Sequence, residues 1–171
     1  IEVEAPADLP ATTRVIDAEG LFVMPGLHDA HAHLSYWGED ALERLVGHGI
    51  TSIRELGGDP DEISAWPREI DSGERVGPAM TWCGPFLEGP GGGEEYRWTV
   101  SSPAEATRAA NALLDWGVDF LKIQPMIDIA EVMALVEVAE RRGSYVVGHV
   151  PDGTSAIVAA ELGLRGIEHL S

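Results

Sequence analysis

Short apolar runs alternate with segments of helical periodicity along this chain of 171 residues. The apolar runs include Thr51 to Leu56, Val118 to Ile123 and Tyr145 to Val150. Strand and helix alternate about six times, and the strands are apolar almost throughout. This pattern predicts an α/β protein with a parallel sheet that is buried on both faces. A doubly wound sheet and a (β/α)8 TIM-barrel both fit it.

Capping residues set the expected helix limits. Ser102 as N-cap and Pro103 at the first helical position predict a helix that ends at Gly117. The periodicity from Ile129 to Arg141 predicts a second helix, which ends before Gly143. Weaker helical patterns cover three further segments: Asp40 to Val46, Asp61 to Ile70 and Thr154 to Leu162. The helix from Asp61 to Ile70 should be broken at Pro67.

The charge of the chain restricts its partners. Acidic residues number 29 and basic residues 11, which gives a net charge of −18. Such a surface repels nucleic acid and anionic membranes. No apolar stretch reaches the roughly 18 residues of a membrane span. The single cysteine, Cys83, excludes an internal disulfide and fits a reducing compartment. We therefore expect a cytoplasmic protein that acts on a small molecule.

Four of the six histidines lie where predicted strands end: His31, His33, His149 and His169. On an extended chain, His31 and His33 project from the same face about 6–7 Å apart, which allows them to share one metal ion. A hydrogen-bonded structural role is the alternative for any one of them. Four histidines at matched strand ends favour a metal site, because a barrel collects its active-site groups at that rim.

Lys122 is the only lysine of the chain, and it lies inside an apolar strand. Burial lowers the pKa of a lysine, and a neutral amine can react with carbon dioxide to give a carbamate. The carbamate has two oxygens and can bridge two metal ions. The alternative is a lysine that pairs with a neighbouring carboxylate, and the residues alone leave both open.

The segment from Val15 to Leu34, VIDAEGLFVMPGLHDAHAHL, closely resembles the opening signature of the amidohydrolase superfamily. Phe120–Ile123, Val147–Val150 and Ile167–Leu170 resemble its imidazolonepropionase-like and prolidase-like branch. This resemblance implies a distorted (β/α)8 barrel that holds one or two divalent metal ions, usually zinc.

The resemblance also implies roles for the individual residues. His31 and His33 bind the more buried metal, and a carbamylated Lys122 bridges to the second one. His149 and His169 bind that second metal or orient the substrate, so these two histidines and Lys122 are the expected catalytic residues. Asp29 is expected to support a ligand histidine. Glu168 is expected to face the helix layer or to pair locally, because neighbours on a strand point to opposite faces.

The expected reaction is hydrolysis of an amide or other C–N bond, as in an Xaa-Pro dipeptide or a cyclic amide, by a metal-activated hydroxide. The full protein is expected to be a homo-oligomer. The alternative from a different class is an incomplete or non-catalytic metal-binding module that serves assembly or binding.

The resemblance divides the chain into two parts. Residues 1–20 should be the end of a small β-sandwich, and residues 21–171 the first six βα units of the barrel. The family's metal-binding aspartate on the eighth strand has no counterpart here, so we expect a fragment with little activity by itself. The Gly-rich segment Gly84 to Thr99 is expected to be a loop, either a lid over the site or a plain surface connection.

Overall fold

The computed structural model of the chain describes residues 9–93 and 95–169. In these residues strands and helices alternate along the chain. The strands are β1 Leu27–Ala32, β2 Ile50–Glu55, β3 Ala79–Trp82, β4 Phe86–Glu88, β5 Arg97–Thr99, β6 Leu121–Ile123, β7 Val146–Gly148 and β8 Gly166–Ile167. The helices are α1 Asp40–Gly47, α2 Pro60–Ser72, α3 Pro103–Trp116, α4 Ile129–Arg141 and α5 Ala156–Glu161, and a short 3-10 helix covers Leu34–Tyr36.

Every strand pair in the described residues is parallel. One sheet has the order β1-β2-β3, and the other has the order β5-β4-β6-β7-β8. The two sheets adjoin where β3 gives way to β4, and there the Asp119 N–H donates to the Trp82 carbonyl over 2.9 Å. Apart from the short β5, the strands follow one another in chain order. This order lacks the reversal that defines a doubly wound sheet.

Apolar side chains cover both faces of the sheets. Between sheets and helices lies a large core that includes Ile53, Leu121 and Leu135. On the opposite face lies a smaller inner cluster, defined by Leu56, Cys83, Phe120 and Val147 with Tyr145 at its margin. The predicted parallel pairing is therefore confirmed. Burial on both faces is found for β4, β6 and β7, whereas β1, β3 and β5 keep exposed residues.

The strongest helix predictions are confirmed. The Ser102 hydroxyl accepts the N–H of Glu105, and Gly117 ends α3 with a φ of 101°. The bounds of α4 are those that the periodicity indicates. The predicted break at Pro67 is wrong, because α2 continues through it. Proline lacks the N–H of one helical hydrogen bond. The Asp59 carboxylate, which caps the helix, and the buried apolar face of α2 offset this loss.

The Gly-rich segment is more ordered than expected. Instead of one loop from Gly84 to Thr99, it holds β4 and β5, which pair in parallel. Leu87 of β4 also pairs with Ile123 of β6, so the segment belongs to the sheet. Gly89 permits this arrangement, since a side chain there would collide with the Met126 carbonyl. Glu94 lies outside the described residues.

The β-sandwich expected for residues 1–20 stays a prediction. Residues 1–8 lie outside the described part of the chain, and residues 9–26 form no helix or strand. The apolar side chains of Val15, Phe22 and Val23 are exposed there. Among the described residues, no helix has the length and apolar character that crossing a membrane requires.

Candidate metal centre

Strand β1 delivers two imidazoles to one point. His31 lies within β1 and His33 directly follows it, so their side chains project from the same face. Their ring centroids are 5.0 Å apart. The two Nε2 atoms face each other at a distance of 3.2 Å.

The other two histidines of the predicted set continue this row. The His169 ring lies 4.8 Å from His31 and 4.7 Å from His149, measured between centroids. His149 directly follows β7, and His169 comes two residues after β8. The carboxyl ends of β1, β7 and β8 therefore bring together His33, His31, His169 and His149, in that order.

Glu168 orients His31. Its carboxylate Oε2 lies 3.2 Å from His31 Nδ1, and both of its oxygens lie 2.8 Å from Nη2 of Arg54. The expectation that Glu168 faces the helix layer or pairs locally is wrong, because its partners His31 and Arg54 lie far away in the sequence. Strand β8 ends at Ile167, so the alternation of side chains does not extend to Glu168.

The hydrogen-bond partners of the two Nδ1 atoms determine which nitrogen of each ring, His31 and His33, carries the hydrogen. His33 Nδ1 lies 2.8 Å from the Gly57 carbonyl, which can only accept, so this nitrogen carries the hydrogen. The Glu168 carboxylate assigns the hydrogen of neutral His31 to Nδ1 in the same way. In the neutral rings both Nε2 atoms thus present lone pairs to each other. This is the form in which imidazole binds metal ions.

Local electrostatics favour the neutral forms of His149 and His31. Burial, followed by the positive charge of Lys122, lowers the pKa of His149 to about 4. The same two causes, in the same order, lower the pKa of His31. Near pH 7 a metal ion would therefore not compete with protons for these rings.

Lys122 lies in the middle of β6 with a fully buried side chain. Its partner in register is Val147, which belongs to the inner cluster. Leu121 and Ile123 instead pack in the helix-facing core. Lys122 therefore points to the face of the sheet that carries the inner cluster, where its charge influences His31 and His149.

The donor atoms of His31 and His33 fit a tetrahedral metal ion. With Zn–N bonds of 2.0–2.1 Å, two ligand nitrogens of a tetrahedral site lie about 3.3 Å apart. The observed Nε2–Nε2 distance is 3.2 Å. Within residues 9–93 and 95–169, no three His, Cys, Asp or Glu side chains are already arranged to hold a metal ion. The fit consequently rests on this pair and on the chemistry of its neighbours.

Two carboxylates beside the pair act on the backbone. Asp29, expected to support a ligand histidine, accepts the backbone N–H of His31 over 3.0 Å. Glu55, which the sequence analysis missed, is fully buried at the end of β2. Burial raises the pKa of Glu55 to about 8, although hydrogen bonds from the Leu34 and Gly57 N–H groups oppose the shift. The only signal in the sequence was an acidic residue at a predicted strand end.

Two cavities flank the row of histidines. One, of about 330 Å³, is lined by residues that include His31, His33 and Trp37. The other, of about 320 Å³, includes His149 and Asp152 in its lining. Both volumes fall in the range of small-molecule sites.

Aromatic side chains from the Gly-rich segment lie close to the first cavity. The Phe86 ring is 5.5 Å from His33, and the Tyr96 ring is 5.5 Å from Tyr36. Trp82, in contrast, contacts Trp116 of α3. Through Phe86 and Tyr96 the segment therefore packs against His33 and Tyr36, two residues that line this cavity.

The chain is similar to known proteins in sequence and in structure. Over 60 residues, 32% of this chain, it is 45% identical to an imidazolonepropionase from Cupriavidus taiwanensis. A putative prolidase from Bifidobacterium longum superposes on 82% of the chain with a TM-score of 0.73 and 28% identity. A bottromycin amidohydrolase superposes on 85% with a TM-score of 0.76 and 31% identity. No family model matches the chain.

In sequence and in structure the chain is similar to proteins of the amidohydrolase superfamily. It spans 14% of the length of the imidazolonepropionase, 39% of the prolidase and 32% of the bottromycin amidohydrolase. The resemblance noted in the sequence therefore extends to the three-dimensional structure.

Proposed function

We propose that the protein containing this chain hydrolyses an amide or other C–N bond of a small substrate, using one or two divalent metal ions, most simply zinc. One observation carries the proposal. The Nε2 atoms of His31 and His33 lie 3.2 Å apart with their lone pairs facing each other. The Nδ1 atoms are held by the Glu168 carboxylate and the Gly57 carbonyl. The relatives described as prolidase and amidohydrolase support a C–N bond as the target.

His31 and His33 would hold the first ion. Such an ion supplies a Lewis acid for a carbonyl oxygen and lowers the pKa of a bound water towards about 7. The Glu168 carboxylate fixes the ring of His31, and the Gly57 carbonyl fixes that of His33. Neither ring needs to reorient on binding, which lowers the entropic cost of forming the site.

His149 and His169 would hold a second ion or orient the substrate. His149 remains neutral near pH 7, so its ring can bind a metal ion or donate an N–H to a carbonyl oxygen. Its place in the lining of the 320 Å³ cavity gives it access to a small molecule. The His169 ring lies between the rings of His149 and His31 and contacts both.

Lys122 would serve as a carbamate. The ammonium first loses one proton to solvent. The neutral amine nitrogen then attacks carbon dioxide, an N–C bond forms as a C–O π bond opens onto oxygen, and a second proton leaves to solvent. The product replaces a positive charge by a negative one. Because the positive charge lowers the pKa values of His31 and His149, this change favours cations at the row of histidines.

The sequential parallel strands suit the first six units of a (β/α)8 barrel. The His31–His169 ring contact brings the end of β1 close to the end of β8, so the sheet is strongly curved. We extend the proposal to this architecture, with residues 1–20 as part of a small β-sandwich. In a barrel, the row of histidines lies at the rim that carries the active site.

The test measures amine release from a panel of Xaa-Pro dipeptides, N-acyl amino acids and cyclic amides. The enzyme is the zinc-loaded full-length protein that contains this chain. We expect turnover of at least one class and its loss in His33→Asn. A folded, zinc-loaded protein that releases no amine from any class would contradict the hydrolase and favour a non-catalytic metal-binding role.

A further inference from the structure

Glu55 links two turns of the backbone near the row of histidines. Its side chain is fully buried at the end of β2. The Leu34 N–H donates to Oε2 over 2.8 Å, and the Gly57 N–H donates to Oε1 over 3.1 Å. A single carboxyl group therefore joins the turn after β1 to the turn after β2.

Both of these turns determine the position of His33. Leu34 directly follows His33, so its N–H fixes the backbone from which the imidazole projects. The Gly57 carbonyl accepts the Nδ1–H of His33 over 2.8 Å. The Glu55 Oε1 atom itself lies 4.0 Å from His33 Nδ1. Because this distance is too long for a hydrogen bond, Glu55 acts on His33 through the backbone.

We propose that Glu55 is a positioning residue, which holds His33 Nε2 towards His31 by fixing the Leu34 and Gly57 backbone amides. The proposal rests on the proposed function in so far as His33 binds a metal ion. It adds a third anchor to the contacts that Glu168 and the Gly57 carbonyl make with the two rings.

A glutamate suits this place better than its closest substitutes. Glutamine has nearly the same volume, but its amide offers one acceptor oxygen and turns an NH2 group towards the other N–H. Glu55→Gln thus loses one of the two backbone anchors and leaves a buried donor without an acceptor. Glu131→Gln is the matched control, because Glu131 is also buried but lies on α4.

The experiment uses the full-length protein that contains this chain. It measures zinc affinity by chelator competition, and it measures the ¹⁵N chemical shifts of the His33 ring in the metal-free protein. We expect Glu55→Gln to weaken zinc binding about 10–100-fold. We also expect it to reduce the population of the His33 Nδ1–H form. Glu131→Gln should change neither quantity. Both measurements are made under conditions in which circular dichroism shows each variant folded.

The two readouts separate this proposal from the proposed function. Unchanged affinity and unchanged His33 shifts in Glu55→Gln would overturn the positioning role, even if the wild type binds zinc. If the wild type bound no zinc, the proposed function would fail, and the ¹⁵N shifts would still decide about Glu55. A shift change in both variants would also overturn the proposal, because it would mark a general effect of buried carboxylates.

Discussion

Arg54 and Glu168 form an ion pair that connects the two sheets, with Arg54 Nη2 2.8 Å from each carboxylate oxygen. Arg54 belongs to β2, whereas Glu168 directly follows β8. The same carboxylate accepts from His31 on β1. One ionic contact thus connects three strands and sets the orientation of a proposed metal ligand.

Arg54→Met should destabilise the fold by roughly 2–4 kcal/mol, because it leaves the nearly buried Glu168 carboxylate without its cation. Urea unfolding measures the change. The exposed Arg44, which pairs with Asp40 on α1, provides the control, and Arg44→Met should have little effect. Equal effects of the two substitutions would argue against a structural role for the Arg54–Glu168 pair.

Glu55 should make stability depend on pH. Its pKa is about 8 in the folded protein against 4.5 as the ordinary value, so the folded state binds the proton more tightly. Its contribution is complete below about pH 4.5 and is lost as pH rises through 8, with a slope of up to about 1.4 kcal/mol per pH unit. Glu55→Gln should flatten the wild-type curve between pH 5 and 8, as measured by urea unfolding. Parallel curves for both proteins would refute the raised pKa.

Much of the site was predictable because its signals are local. His31 and His33 share a face through the period of an extended chain, and His149 follows an apolar run that could only be a buried strand. Glu168 was misplaced because strand alternation was applied one residue past the end of β8. Glu55 was missed because its partners are backbone amides, which leave no trace in the sequence. For β4 and β5, the glycines between them concealed a pairing that depends on tertiary contact.

Lys122→Arg should remove the second equivalent of zinc from the full chain, because a guanidinium does not form a carbamate. Added bicarbonate should not restore it, although bicarbonate should increase zinc content in carbon-dioxide-depleted wild type. Elemental mass spectrometry gives the stoichiometry. Retention of wild-type zinc content and turnover in the variant would exclude the carbamate.

Gly148→Ala should destabilise the protein by about 2–4 kcal/mol. Gly148 has a φ of 146°, and a side chain there would collide with the Ile123 backbone of the neighbouring strand. Gly153 also has a positive φ, 74°, but open space around it, so Gly153→Ala should cost only about 1–2 kcal/mol. Thermal unfolding compares them, and the reverse ranking would contradict the tight packing of β6 against β7 before His149.

The most direct test of the metal centre is zinc content per folded full chain, measured by elemental mass spectrometry after purification with zinc and bicarbonate. The wild type should retain at least one equivalent, and His31→Asn should lose it. His28→Asn should retain it, because His28 is exposed and hydrogen-bonds to Ser52 instead of joining the row. A folded wild type without zinc, or equal zinc content in wild type and His31→Asn, would contradict a metal site at His31 and His33.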